Sequence, residues 1–183
     1  IQKAQSLSIP VFVDGAHVPG HIDLNIRKLD PDYYTGACHK WMMTPKGSSF
    51  MYVKKELQPN IFPLIVSWGY KAVKPSHSLY LDWHEMSGTM DYAARLCIPA
   101  AIQFRKTYNW DKIALQSRKI AHDNATTFAN LLDSHLLAPL SDTFMGQMIS
   151  VPIRTNDPDL LYHTFVNDYK IEIPVMPHNG VFH

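Results

Sequence analysis

Excess charge is the first thing this sequence lacks. Its 183 residues carry 17 Lys and Arg against 16 Asp and Glu, a formal net charge of +1. No long basic run appears, so nothing calls for nucleic acid or an anionic membrane surface as partner. Cysteine is scarce too. Cys38 and Cys97 make no disulfide framework, and the plain reading is a reducing, cytoplasmic compartment. No apolar stretch approaches the roughly 18 residues needed to span a bilayer. The opening IQKAQSLSIPVFVD has no charged segment followed by an apolar run, so it does not read as a signal peptide. It reads as the last turn of a helix running into a strand, as if the chain were entered mid-domain. Internal repeats and low-complexity tracts are missing. What is plentiful is apolar surface: 46% of the residues are hydrophobic. That suffices for a packed core and excludes disorder, which needs low hydrophobicity and high net charge.

The apolar residues fall into short, interrupted runs. IPVFV, 9–13, is a buried strand that stops at Asp14-Gly15. DYYTGA, 32–37, is a second strand. SSFMYV, 48–53, is a third, entered through the turn residues of TPKG. Short strands with few polar positions predict a sheet covered on both faces, as in α/β folds. Residues 58–90, with Pro59, Pro63 and Pro75 among aromatics, predict an ordered but irregular segment. A helix is predicted from Asp91 or Tyr92 to about Tyr108, with Pro99 as an internal irregularity. A second helix runs from Trp110 to about Leu132, its Ile113, Ile120, Phe128, Leu131 and Leu132 on one face. QMISVPI, 147–153, reads as a strand. Asp157-Pro158 starts a helix, with Asp as N-cap and Pro in the first turn. YKIEIPV, 169–175, alternates as a strand. The sequence thus divides near residue 110 into residues 1–109 and a small α+β unit, 110–183.

Asp14 and Lys40 each stand at the carboxyl end of a predicted strand, where ligands bind in open α/β sheets. A lysine amine condenses with an aldehyde. A carboxylate beside a pyridine nitrogen keeps it protonated and makes the ring an electron sink. Together they are what pyridoxal phosphate needs. Each residue alone has a blander reading. Most lysines are exposed at strand ends, and Asp-Gly is commonly a turn. His17 and His21 are four apart, but Pro19-Gly20 breaks the helix that a metal-binding pair would need, so no metal is expected. Cys38 reads as a small buried residue and not a nucleophile. Trp41, Trp68 and Trp83 read as core or interface aromatics.

DGAHVPG, then DYYTGACHKWMMTPKGSSFMYV, then SGTMD, resemble the class V aminotransferase family of pyridoxal-phosphate enzymes. Within it the resemblance is to the isopenicillin N epimerase-like branch, which adjoins the cysteine desulfurases. It covers most of residues 1–108 and, more weakly, 109–175. It implies the aspartate aminotransferase-type α/β fold (fold type I), with 1–109 the C-terminal part of the large cofactor-binding domain and 110–183 an incomplete small domain. It implies an amino-acid substrate and a homodimer with shared active sites. Lys40 would form the Schiff base with the cofactor and shuttle the proton at the substrate α-carbon. Asp14 would bond the pyridine nitrogen and His17, where many relatives carry Gln, would approach the ring oxygen. His39 would touch the phosphate, and Gly88-Thr89 would reach the phosphate of the partner subunit, a location helix N-termini favour.

Two departures from the family pattern stand out. Ala37 occupies a position where relatives often carry a hydroxyl or amide that binds the phosphate. Family members are also about twice as long, and the Arg that grips the substrate carboxylate follows a segment like IEIPV. The chain reaches His183 before such an Arg, so it reads as a partial protein, expected to be inactive alone. The implied reaction is epimerase-like or aminotransferase-like. Cysteine desulfuration or C–S lysis is the first alternative, and a non-catalytic fragment or pseudoenzyme the second.

Overall fold

A computed structural model describes residues 1–178 and 181–183. The chain forms two compact units, Ile1–Tyr108 and Asn109–His183.

The first unit opens with a single helical turn, α1 (Gln2–Gln5), and is built on a three-stranded sheet. Strand β1 (Phe12–Asp14) pairs in parallel with β2 (Tyr33–Ala37), in the register Phe12 to Tyr33 and Asp14 to Thr35. The crossover between them contains one turn, α2 (Ile26–Leu29), capped where the Asn25 side chain accepts from the Lys28 N–H. Strand β3 (Ser49–Val53) returns antiparallel to β2. Because β1 and β2 are parallel, their carboxyl ends lie at the same end of the sheet. β2 is central, and Tyr34, Ala37 and the adjoining Cys38 are buried with Val53 of β3. The outer strands are less covered than the sequence predicts: Phe12 is 56% and Met51 46% exposed. Both belong to edge strands of this sheet, which have a neighbour on one side only.

The proline-rich stretch holds more helix than expected. A 3-10 helix spans Lys55–Asn60, and α3 (Leu79–Glu85) starts where Ser78 accepts from the Leu81 N–H. The single helix predicted up to Tyr108 is divided at Cys97 into α4 (Ala93–Leu96) and α5 (Ile98–Thr107). The division puts Pro99 in the first turn of α5, where its missing N–H has no intrahelical partner to lose.

The second unit contains α6 (Trp110–Leu131) and α7 (Pro158–Thr164). Asp157 caps α7 as its sequence predicts, accepting from the Leu160 N–H at 2.9 Å. The buried side of α6 is Ala125 and Ala129, whereas Ile120 and Leu131 are 65% and 80% exposed. The apolar spacing identified the helix but not its buried face. Two expected strands are absent among the described residues. In 147–153 only Ile153 forms a bridge, to Phe182; Ser134 Oγ instead donates to the carbonyl of Pro152, a residue with no N–H of its own for a ladder. In 169–175 the alternation misleads, because a π-turn (Phe165–Tyr169) continues α7 and ends at Lys170 with φ 57°. Strand pairing occurs after it, between β4 (Pro177–His178) and β5 (Val181–Phe182).

Candidate active site

The loops that follow β1 and β2 carry four of the candidate residues. β1 ends at Asp14, and the Gly15 N–H donates to the Thr35 carbonyl at 2.9 Å, holding the exit of one strand to the other. Asp14 Oδ1 accepts from the Ala16 N–H at 3.0 Å, a local turn that fixes one carboxylate oxygen. Below it lies Tyr34, 1% exposed, its hydroxyl buried without a hydrogen-bond partner among the described residues. Burial, and next the Asp14 charge, push that phenol up from its ordinary value. The hydroxyl therefore stays protonated beneath the carboxylate.

His17 is exposed and feels charges of both signs. Burial lowers its pKa from the ordinary 6.5; the positive charge of Lys40 lowers it further, and Asp14 acts the other way. Lys40 and Asp14, brought from two strand ends, thus both act on one imidazole, which is neutral at physiological pH. His17 Nδ1 also lies 3.3 Å from the indole Nε1 of Trp41.

Lys40 is exposed and sits three residues beyond the end of β2. Its loop is held by Ser48, which is fully buried. The Ser48 carbonyl accepts from the Cys38 N–H at 3.1 Å and from His39 Nδ1 at 3.0 Å. A carbonyl only accepts, so His39 carries its proton on Nδ1 and presents Nε2 elsewhere. Cys38 is buried and burial raises its thiol pKa, which keeps it a thiol.

Of the six residues singled out in the sequence, Asp14, His17, His39 and Lys40 fall on these two loops. Gly88 and Thr89 are on a different loop. They lie on the loop before α4, where the Gly88 carbonyl accepts from the Tyr92 hydroxyl at 3.2 Å. Thr89 is not the helix cap; Tyr92 occupies that position, and Asp91 accepts from the Ala93 N–H. Gly88 has φ +118°, a conformation that glycine adopts freely. Tyr34 and Trp41 were not legible as site residues. An aromatic in a strand or loop looks like core until its polar atom is placed.

The chain is matched over residues 1–178 by the family described as Aminotransferase class-V. It belongs to that family. It is 28% identical over 159 residues to the isopenicillin N epimerase of Streptomyces clavuligerus, covering 81% of this chain and 40% of that protein. It is 28% identical over 156 residues to the L-cysteine desulfhydrase-like protein lolT1 of Epichloe uncinata, covering 75% of this chain and 34% of that one. Among solved structures it resembles a C-DES variant with glycine covalently linked to its PLP cofactor. The TM-score is 0.71 at 21% identity, over 92% of this chain and 44% of that one. The α/β fold is therefore that of the fold type I pyridoxal-phosphate enzymes, in part. This chain spans less than half the length of each of these relatives. Among the described residues, no helix is long and apolar enough to cross a membrane, and no three His, Cys, Asp or Glu side chains group as metal ligands.

Proposed function

We propose that the two loops form part of a pyridoxal-phosphate site, in an enzyme that acts on an amino acid in the epimerase-like or aminotransferase-like manner of its family. The observation that carries this reading is the parallel pairing of β1 and β2, which sets Asp14 and the Lys40 loop at one end of the sheet, where both charges act on His17. The donor set fits the cofactor: an amine for its aldehyde, a carboxylate for its ring nitrogen, and neutral imidazole for its ring oxygen. When bound, the pyridinium ring accepts the electron pair released at the substrate α-carbon.

The chain's own residues have these roles in the proposal. Asp14 holds the proton on the ring nitrogen. Lys40 attaches the cofactor and then moves the proton at the α-carbon, which a lysine can do once desolvated or near other cations. His39 faces the phosphate. Gly88 and Thr89 face the phosphate of a partner subunit in a homodimer. Cys38 and Cys97, both unpaired, suit a reducing, cytoplasmic setting. The second reading is C–S bond cleavage, favoured by the similarity to the desulfhydrase-like lolT1. Product analysis with cysteine against other amino acids separates the two.

Lys40 is tested by adding pyridoxal phosphate, recording the visible spectrum, reducing with borohydride and mapping the peptides. A pyridoxyl group on Lys40 alone is expected. Scattered surface adducts on this chain and on its longest natural form overturn the cofactor reading.

A further inference from the structure

Trp41 directly follows Lys40, and its indole joins the two loops of the site. Nε1 lies 3.3 Å from His17 Nδ1. An indole N–H only donates. The Nδ1 it reaches must therefore carry a lone pair, and the proton of the neutral ring sits on Nε2. The indole is itself held in place. The His21 ring stacks on it at 4.2 Å and 10° between planes, with His21 Nδ1 3.1 Å from the His17 carbonyl oxygen. The Trp41 carbonyl accepts from Arg105 Nη1 at 3.1 Å. Gly20, at φ +82°, presses on the same peptide so closely that a Cβ there would stand 2.6 Å from the Trp41 oxygen.

We propose that Trp41 is a positioning residue that fixes His17 as the neutral Nε2–H tautomer, so that His17 donates a hydrogen bond through Nε2 and does not serve as a base. Protonating Nδ1 would set two donors against each other, so the indole opposes the charged ring. Burial and Lys40 act in the same direction, and Asp14 against it; His21, stacked on the indole, and Arg105, bonded to the Trp41 carbonyl, are further ionisable groups here. An Nε2–H donor suits the negatively charged ring oxygen of pyridoxal phosphate. That consequence rests on the cofactor reading, whereas the tautomer does not.

Long-range 1H–15N correlation spectra of the uniformly 15N-labelled chain test the proposal. At neutral pH His17 is expected to show a protonated Nε2 and an unprotonated Nδ1, and to titrate below the ordinary imidazole value of 6.5. In Trp41→Phe, which keeps a ring for His21 to stack on, the tautomers should mix. The His17 midpoint should rise by about half to one pH unit, the worth of one neutral hydrogen bond. A proton on Nδ1 in the unmodified chain overturns the proposal even if the variant does not fold. So does a tautomer and midpoint unchanged in a folded Trp41→Phe. Pyridoxal phosphate is then added to the unmodified chain. A shifted Nε2 resonance with the tautomer retained supports both readings. An unshifted one with the tautomer retained supports the role of Trp41 and counts against the cofactor.

Discussion

Gly15→Ala tests the packing under the site. A Cβ at position 15 would lie 2.0 Å from Oη and 2.2 Å from Cζ of Tyr34, where real Cβ atoms essentially never come within 3.0 Å. The ring cannot yield cheaply. It is 1% exposed and stacked on Phe50 at 6.1 Å and 11°. Either the backbone shifts, at the roughly 1–3 kcal/mol of an overpacked core, or the ring leaves and forfeits the ~3–5 kcal/mol that aromatic truncation costs. A full ångström of overlap on a rigid ring places the cost at about 3 kcal/mol. For a chain of this size that lowers the melting temperature by about 6–12 °C, read by far-UV circular dichroism. Tyr34→Leu removes the clashing atoms, so Gly15→Ala in that background should cost at most about 1 kcal/mol, the difference being the coupling between the two sites. A Gly15→Ala chain that melts with the unmodified one, or an equal loss in both backgrounds, refutes the packing of Tyr34 against the Asp14–Gly15 turn.

Two further outcomes are expected. Asp32 Oδ2 accepts from the Val11 N–H at 2.8 Å and from Gln5 at 3.2 Å, and Lys54 lies 3.9 Å from Oδ1. These bonds, led by that from Val11, lower its pKa, so its contribution is present above the ordinary carboxylate range and lost as pH falls through the lowered value. Urea unfolding should show Asp32→Asn weakest relative to the parent near neutral pH, with the gap narrowing in acid; a gap independent of pH would be inconsistent with this. Cys38, buried with a raised pKa, should resist iodoacetamide at neutral pH until urea unfolds the chain, while half-buried Cys97 reacts sooner. Peptide mapping at equal modification of the two thiols would contradict that order.

What could be read from residues alone follows from which interactions are local. Asp157-Pro158 predicts its cap because the bond to the Leu160 N–H spans three residues. The strand at 48–53 is legible because β-branched and aromatic residues follow the Pro45-Lys46-Gly47 turn, and its pairing with β2 is a hairpin contact close in sequence. YKIEIPV alternates as well as any strand, yet alternation specifies a face and not a partner; the π-turn before it and the left-handed Lys170 are set by the Ile171 N–H reaching the Phe165 carbonyl. Likewise the spacing in α6 identifies a helix, but only packing decides that two alanines are its buried side. In the candidate site, Asp14 and Lys40 are visible because their chemistry is unusual at strand ends, whereas His17 and His39 become candidates only through the family resemblance. Trp41 is invisible because its role depends on where one N–H points.

In the proposed site, the Lys40 loop has to combine rigidity with access. An amine that must meet a ligand cannot be packed into the core, since burial would cost it hydration. The loop is fixed from beneath by polar bonds instead. Ser48 has no exposed surface, and its carbonyl uses both lone pairs, on the Cys38 N–H and the His39 ring. Its hydroxyl bonds to Thr44 and donates to the Pro45 carbonyl, and the Thr44 N–H returns to the Cys38 carbonyl at 3.3 Å. Trp41 and Arg105 hold the loop from the side. Lys40 stays exposed, on a backbone whose neighbours at 38, 39 and 41 are each tied down. A buried hydroxyl and a saturated carbonyl do here what apolar packing cannot, because they immobilise the peptide without enclosing the amine.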